Sequence, residues 1–380
     1  MIERERWPVP HGTGGGVGHT RVVNRVVLAV VHSVAGGQRL FDVLAAAEKV
    51  SDVQVVFTRP PGPKDNGVGD LLKAQGALET PWDQAVHEQF DLVVSISGTA
   101  IDSLGAPALL LPALGDQGQP VDHHGRPGVA AIRRVRKRRG AAGHPIPLAV
   151  GLPQRRDVAL LRSTFPDIGQ HAEVVGDPSF DRLLRTIGLR TAIRRKLGVK
   201  AGERVGLVLS SRGPESLFGR SPGILAAIGR ANRHRNDRVF CQLHPAVWIG
   251  HGSRQVMAWC EEASQEGVAF VQPGQDWCPL LVASDYVIGD HGIVTSYAAA
   301  IGKPVFLAHP LERAAARSAL VGLPVLDPSH ALHGQLDLTA TANTPHQRIT
   351  SAPRRSADLL QSLFLRLLKL PARPKEGRAG

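Results

Sequence analysis

A cluster of hydroxyl, carboxyl and imidazole side chains lies between residues 290 and 296, where an apolar run gives way to a helix-forming segment. The run 286–288 predicts a short strand, and a helix is predicted to begin near Val294 or Thr295. Free N–H groups at a helix N-terminus bind anions, and glycine lets backbone approach a phosphate closely. The segment predicts a phosphate-binding turn, with an ordinary capped turn as the alternative. The residues assigned to it are Asp290, His291, Gly292, Thr295 and Ser296.

Two more groups of polar residues follow predicted strands. Ser210, Ser211 and Arg212 come after the apolar run 205–209, and His244 comes after the run 239–243. Ligands bind outside the carboxyl ends of strands in open α/β sheets, so we expect these side chains to join the turn at 290–296 as phosphate donors. His244 is also a candidate catalytic residue. The chain contains no Asp-x-Asp sequence, so the predicted site uses no metal and no cofactor.

Strands alternate with helices in both halves of the chain, which predicts an α/β fold with two tandem Rossmann-like domains facing a central cleft. The predicted strands are 26–31, 53–57, 91–97 and 108–112 in the first half, and 205–209, 239–243, 268–271, 286–288 and 304–307 in the second. The predicted organisation is a flexible glycine-rich leader (1–20), an N-terminal domain (21–184), a C-terminal domain (185–353), an amphipathic helix (354–370) and a disordered tail (371–380). The helix is expected to dock on the N-terminal half, with membrane contact as the alternative.

Four segments in order resemble the GT-B glycosyltransferases, above all the CDP-glycerol glycerophosphotransferase branch. The segments are Val175 to Leu183 (VGDPSFDRL), Leu209 to Gly213 (LSSRG), Gln242 to Pro245 (QLHP) and the turn from Gly289 onward. The sequence also resembles the UDP-N-acetylglucosamine 2-epimerases, which share that fold. The resemblance covers residues 175–307 well and rests on architecture alone over 20–150. It implies a nucleotide-diphosphate donor, CDP- or UDP-linked, on the C-terminal domain and a hydroxyl acceptor on the N-terminal one.

The sequence departs from these families at two places. Residues 297–300 (Tyr-Ala-Ala-Ala) hold no acid where many GT-B enzymes bind the ribose. The N-terminal His-Gly motif that would supply the base is also absent at the local candidate 112–118. We therefore predict His32 or Asp116 as the catalytic base, with His123 and His124 as weaker candidates. A divergent or inactive family member is the alternative.

The chain of 380 residues carries a formal net charge of +12, which favours anionic partners. Only 4% of its residues are aromatic, so we do not expect a nucleic-acid partner. The segment 133–139 is almost entirely basic and is predicted to bind an anionic membrane surface or a polyphosphate acceptor, with a solvated charged face as the alternative. The residues assigned to it are Arg133, Arg134, Arg136, Lys137, Arg138 and Arg139.

Three cysteines without metal spacing and no long apolar stretch favour a cytoplasmic protein, with peripheral association on the inner face of the membrane. The predicted function is a metal-independent transferase. It would move a glycosyl or glycerophosphoryl-type group to a hydroxyl acceptor, which a lipid-linked cell-envelope polymer could supply. The alternatives are a UDP-sugar epimerase or hydrolase, for which Asp102, Asp116 and Asp122 are the plausible carboxylates, and a non-catalytic binding protein.

Overall fold

The computed structural model of the protein describes residues 23–62, 66–114, 120–121, 129–139, 146, 148–221, 223–235, 237–310, 319–336 and 346–371. These residues divide into two compact units. The first ends at Pro178 and resumes at Arg355, and the second runs from Ser179 to Arg354 together with residues 66–67. The domain boundaries predicted from the sequence, at residues 184 and 353, stay predictions. The leader 1–20 lies outside the described residues, as does the tail beyond residue 371.

The first unit is built on a parallel sheet of six strands. Its strands pair in the order β2-β1-β3-β4-β7-β8, so the direction of strand addition reverses between β1 and β3. The strands of this unit are β1 Arg25–Val30, β2 Val53–Thr58, β3 Leu92–Ser95, β4 Ala108–Leu110, β7 Leu148–Leu152 and β8 Ala172–Val174, and the small antiparallel pair β5 Ala113–Leu114 and β6 Pro120–Val121.

The sequence pattern missed the last two strands of this sheet, β7 and β8. The five residues of β7 are all buried, as the apolar run Leu-Ala-Val-Gly-Leu would predict for a central strand. The strand β7 could therefore have been predicted from this apolar run. The strand β8 is only three residues long and includes Glu173, so no periodicity marks it.

The second unit is built on a parallel sheet of five strands in the order β11-β10-β9-β12-β13. The direction of strand addition reverses between β9 and β12, which pair directly. The strands are β9 Val205–Ser210, β10 Arg238–Leu243, β11 Val268–Phe270, β12 Tyr286–Gly289 and β13 Val305–Leu307. All five were predicted from their apolar runs, with ends that shift by one residue or less.

Helices flank both sheets. Those of the first unit are α1 Val34–Leu44, α2 Val68–Ala74, α3 Trp82–Ala85, α4 Val129–Arg136, α5 Arg155–Thr164 and α6 Pro166–Gly169. Those of the second unit are α7 Pro178–Thr186, α8 Arg190–Lys196, α9 Leu217–Arg220, α10 Ile224–Arg235, α11 Pro245–His251, α12 Ser253–Trp259, α13 Glu261–Gln265, α14 Trp277–Ala283, α15 Ile293–Ala300 and α16 Leu332–Gln335. The last helix is α17 Ser356–Leu367, and three short 3-10 helices occupy Ile101–Ser103, Ile187–Leu189 and His346–Arg348.

The C-terminal helix α17 packs on the first unit. Its buried side chains Leu360, Leu363 and Phe364 belong to the same apolar core as β1 and β2. The guanidinium of Arg25 adds a 2.9 Å hydrogen bond from Nε to the carbonyl of Leu368. The docking interpretation is therefore confirmed, because the apolar stripe is already covered by protein. Among the described residues no helix is long and apolar enough to cross a membrane.

Candidate functional site

The loops that follow β9 and β12 lie at the reversal point of the second sheet. Strand order reverses between these two neighbouring strands. In open α/β sheets, ligands bind outside the carboxyl ends of the strands at such a point. Ser210 and Ser211 stand at the end of β9, and Asp290 to Gly292 stand at the end of β12. The topology therefore brings together the two polar segments that the sequence analysis assigned to one site.

The side chain of Asp290 forms hydrogen bonds to both of these loops. Its carboxylate is fully buried and accepts hydrogen bonds at Oδ2 from the backbone N–H groups of Ser211 and Leu217, both at 2.8 Å. Its Oδ1 accepts a 3.0 Å hydrogen bond from the N–H of Gly292. Both carboxylate oxygens are buried and accept from backbone N–H groups. Asp290 therefore fixes the shape of the turn and does not contact a ligand at the surface.

Ser211 and His291 face each other above Asp290. The Ser211 hydroxyl lies 3.0 Å from Asp290 Oδ2 and 3.0 Å from His291 Nε2. Gly292 closes the turn, and a β-carbon there would approach Asp290 Oδ1 to 3.3 Å and the Ser211 β-carbon to 3.6 Å. His291 is exposed and Ser211 is half-buried, so this part of the turn is open to a ligand.

The helix α15 begins at this turn without a side-chain cap. Gly292 occupies the N-cap position, and within the described residues it forms no side-chain capping hydrogen bond. The first N–H groups of an α-helix have no partner inside the helix, so those of Ile293 and Val294 are directed at whatever lies beyond the N-terminus. Ser296, the fourth residue of α15, is half-buried in the first turn of the helix.

Thr295 is fully buried, whereas a hydroxyl that binds phosphate at an open surface would be at least partly exposed. Its side chain is completely buried, and its Oγ1 has no hydrogen-bond partner among the described residues. The side chain packs over Gly289, where a β-carbon would come within 2.4 Å of Oγ1. A glycine is therefore required at the end of β12, and a hydroxyl without a partner sits directly under the turn.

His244 adds an imidazole to the same edge of the sheet. Its N–H donates to the carbonyl of Ser210 at 2.9 Å, and its Nδ1 accepts from the N–H of Ala246 at 3.1 Å, which caps α11. Burial, together with the charge of Arg212 and against the opposing charge of Asp290, lowers the pKa of His244 to about 4. His244 is therefore neutral at pH 7, with its proton on Nε2 as a donor.

The remaining members of the predicted set differ in exposure. Ser210 is buried, with its hydroxyl accepting from the N–H of Phe218 at 3.0 Å and donating to the carbonyl of Ser211 at 3.1 Å. Arg212 is half-buried, and its charge reaches His244. Sequence reasoning missed the turn at 213–217, although Gly213-Pro214 and the helix-capping Ser216 mark it as a turn.

The predicted base His32 lies at the reversal point of the first sheet. It follows β1, it is 8% exposed, and its Nε2 lies 2.8 Å from the carbonyl of Thr99. Asp102 is present in the same unit and pairs with Arg134 at 3.6 Å. The other candidates for the first unit, Asp116, Asp122, His123 and His124, lie outside the described residues.

The basic residues of the run 133–139 differ in exposure and in the groups they contact. Arg133 pairs with Asp167 at 3.5 Å, and Arg134 pairs with Asp102. Arg138 does not reach the surface that the sequence analysis expected. It is 7% exposed and donates to the carbonyls of Ile101 at 2.8 Å and Ala106 at 2.7 Å and also to that of Leu104. Burial lowers its pKa to about 10, and the nearby Asp102 opposes the shift.

Arg138 thus holds the loop after β3 instead of contributing to a charged face. Arg136 is half-buried, which leaves four exposed residues in the run. These are Arg133, Arg134, Lys137 and Arg139.

No family model matches this sequence, and no curated protein matches it. Solved structures are similar to it over almost their whole length. The UDP co-structure of MnaA from S. aureus has 13% sequence identity and a TM-score of 0.59, with 92% of this chain and 99% of that chain covered. The UDP-GlcNAc 2-epimerase from Neisseria meningitidis bound to UDP-GlcNAc has 12% identity and a TM-score of 0.55, with 90% and 100% covered.

A variant of the wall teichoic acid polymerase TagF is similar to the same degree. It has 13% identity and a TM-score of 0.59, with 91% of this chain and 90% of that chain covered. At these identities the likeness establishes the fold. The protein therefore has the GT-B type of fold, with two Rossmann-like units that each carry a parallel sheet. The expected likeness to the epimerases and the teichoic acid enzymes is confirmed at that level.

Proposed function

We propose that this protein is an enzyme that binds a nucleoside-diphosphate-linked donor on its second unit and transfers a glycosyl or glycerophosphoryl-type group to a hydroxyl acceptor. The observation that carries the proposal is the uncapped N-terminus of α15 at the reversal point of the second sheet, with Ser211, His244 and His291 around it. Similar folds were solved with UDP, with UDP-GlcNAc and with CDPG. A CDP- or UDP-linked donor is the ligand class that these features have in common.

The proposed chemistry is the stabilisation of a departing nucleotide. Breaking the bond to the transferred group leaves negative charge on the diphosphate, and fixed dipoles and donors aimed at that charge lower the barrier. The first N–H groups of α15 and the Nε2–H of His244 are such donors, and Arg212 supplies positive charge beside them. Thr295 and Ser296 are proposed to complete the donor set from the first turn of the helix.

The acceptor side of the proposal rests on the first unit. The carbonyl of Thr99 can only accept, so Nε2 of His32 carries the proton and donates to it. In the neutral imidazole the other nitrogen, Nδ1, then carries the lone pair that can accept a proton. We propose that it takes the proton of the acceptor hydroxyl. Asp116 is the alternative base. The exposed cations of the run 133–139 are proposed to attract an anionic acceptor or an anionic membrane surface on the cytoplasmic side.

The second candidate function is a UDP-sugar 2-epimerase or hydrolase. The likeness to the epimerases in fold and length favours it, because this chain covers 99–100% of two of those proteins, with TM-scores of 0.55 and 0.56. Such an enzyme would use the same anion site and no acceptor. A non-catalytic binding protein of the same fold would hold the nucleotide without turnover.

A ligand panel tests the proposal. Thermal melts of the full chain with CMP, CDP, UDP, UDP-GlcNAc and CDP-glycerol should show stabilisation by at least one diphosphate, because binding to the native state raises apparent stability. His244→Ala should weaken that shift, and His87→Ala, which removes an exposed histidine of the first unit, should not. A panel in which no nucleotide shifts the melt and an oligonucleotide does would overturn the proposal.

Turnover then separates the enzyme candidates. Release of nucleotide only when a hydroxyl acceptor is added supports the transferase. Conversion of a UDP-sugar without acceptor supports the epimerase or hydrolase and contradicts the transferase. Binding without any turnover supports the non-catalytic alternative.

A further inference from the structure

The hydrogen bonds around Ser211 define where the protons of His291 lie. Asp290 Oδ2 already accepts from the N–H groups of Ser211 and Leu217, so the carboxylate is an acceptor for all its neighbours. The hydroxyl of Ser211 has a single hydrogen, and a bond to a carboxylate is stronger than one to a neutral imidazole. The hydroxyl therefore donates to Asp290, and its oxygen accepts from Nε2–H of His291.

This arrangement leaves Nδ1 as the nitrogen of His291 that Ser211 does not contact. His291 is exposed at the turn that leads into α15, where the proposed diphosphate would lie. A neutral His291 with its proton on Nε2 offers only a lone pair at Nδ1, which an anion repels. An imidazolium offers an N–H donor and a positive charge.

We propose that His291 is a proton-coupled diphosphate-binding residue, and that Ser211 and Asp290 position it by holding Nε2–H. This rests on the proposed function, since it takes the nucleoside diphosphate as the ligand of the α15 turn. Binding adds a proton to Nδ1, so the donor is held more tightly at acidic than at alkaline pH. No other bond is made or broken, and the proton comes from the solvent.

The charged and titratable groups around His291 come from three loops. Asp290 precedes His291 on its own loop, and Arg212 lies on the loop after β9, next to Ser211. His244 on the loop after β10 has a pKa lowered to about 4, so it stays neutral across the range in which histidine usually titrates. The pH dependence between 5.5 and 8.0 can therefore be attributed to His291 by a variant.

Calorimetry with CDP-glycerol and UDP-GlcNAc tests this inference. Both are diphosphate diesters without the terminal phosphate that titrates near pH 6 in a free nucleotide, so the ligand keeps its charge. For the full wild-type chain we expect binding about threefold to tenfold tighter at pH 5.5 than at pH 8.0, where tenfold corresponds to about 1.4 kcal/mol. Titrations in buffers of different ionisation enthalpy should show an average uptake of about 0.2–0.4 proton across this pH range, which is what proton linkage requires for an affinity change of that size.

Three variants separate the roles. His291→Gln should still bind, but with the same affinity at both pH values and no proton uptake. Ser211→Ala should bind with a reduced pH effect, because the imidazole is no longer held at Nε2. His244→Gln should bind more weakly and keep the wild-type pH effect. Melting curves of each variant without ligand show that it is folded.

Each result bears on one claim. A wild-type affinity that does not change with pH, or a His291→Gln variant that keeps the full pH effect, overturns the role of His291. A Ser211→Ala variant with the full effect overturns the positioning role of Ser211. Absence of any binding by either diester across the pH range would instead count against the proposed function.

Discussion

The backbone N–H of Leu217 donates a 2.8 Å hydrogen bond to the buried carboxylate of Asp290, which lies 73 residues further along the chain. The bond joins the turn after β9 to the turn after β12. Because the same oxygen also accepts from Ser211, one carboxylate determines the relative position of both loops of the candidate site. The first prediction concerns this carboxylate.

Asp290→Asn should destabilise the second unit and abolish nucleotide binding. An amide cannot accept from all of these donors, and its NH₂ group would face backbone N–H groups that are already buried. Losing buried hydrogen bonds to a charged acceptor costs about 2–4 kcal/mol. Urea unfolding measures this loss. Asp327→Asn, at an exposed carboxylate of the same unit, is the control and should change stability by less than about 1 kcal/mol. Equal stability of the two variants would contradict the role of Asp290.

Thr295→Val should leave stability unchanged or raise it, and should weaken nucleotide binding about threefold to tenfold. Among the described residues the buried Thr295 hydroxyl has no hydrogen-bond partner, so removing it costs the free protein no hydrogen bond found there. Binding should weaken because the proposal has this hydroxyl turn to the ligand. Thr58→Val is matched, because its hydroxyl is also buried with no partner in the described part of the chain but belongs to the first unit. The melting temperature and the nucleotide affinity are measured for both variants. An unchanged affinity in Thr295→Val would show that Thr295 is not one of the phosphate donors.

Lys303 should make the protein more stable as the pH rises from about 7 toward 10.5. Burial, together with the charges of Arg190 and Arg194 and against that of Asp285, lowers the pKa of Lys303 from 10.5 to about 7. Within this window the unfolded chain binds the proton that the folded chain has lost, so the free energy of unfolding rises with pH, by at most about 1.4 kcal/mol per pH unit. Below pH 7 both states hold the proton and this contribution stops changing.

Urea unfolding from pH 6.5 to 9.5 measures the slope. Lys303→Met should lose it, and Lys73→Met, at an exposed lysine of α2, should keep it. The comparison removes the contribution of the other groups that titrate in the unfolded chain. A Lys303→Met variant with the slope of the wild type would show that this lysine is charged in the folded protein at neutral pH.

Phe364→Ala should destabilise the first unit by about 3–5 kcal/mol. Its ring is fully buried in the core that α17 shares with β1 and β2, so the truncation leaves a cavity. Ser362→Ala on the exposed side of the same helix should change the free energy of unfolding by less than about 1 kcal/mol. A small effect of Phe364→Ala would mean that α17 contributes little to the unit on which it packs.

The sequence was sufficient for much of the fold, and it singled out the residues that the structure brings together at the candidate site. Every strand of the second sheet was predicted, because central parallel strands are short apolar runs between turns. The turn 290–292 was recognised from Gly292 and the helix that follows, and His244 from its place after a strand. The first sheet was predicted less completely, since β8 is too short and too polar to leave a pattern.

The sequence by itself determined which residue types meet at the ends of strands, because apolar runs and turn residues are local signals. Only the tertiary structure decided what those residues do there. It buried Arg138 among backbone carbonyls, and it directed the oxygens of Asp290 to backbone N–H groups. It also placed Ser211 against His291 across 80 positions of sequence. These outcomes depend on which strands become neighbours in a sheet, and hydrogen bonds between loops distant in sequence form only after that pairing exists.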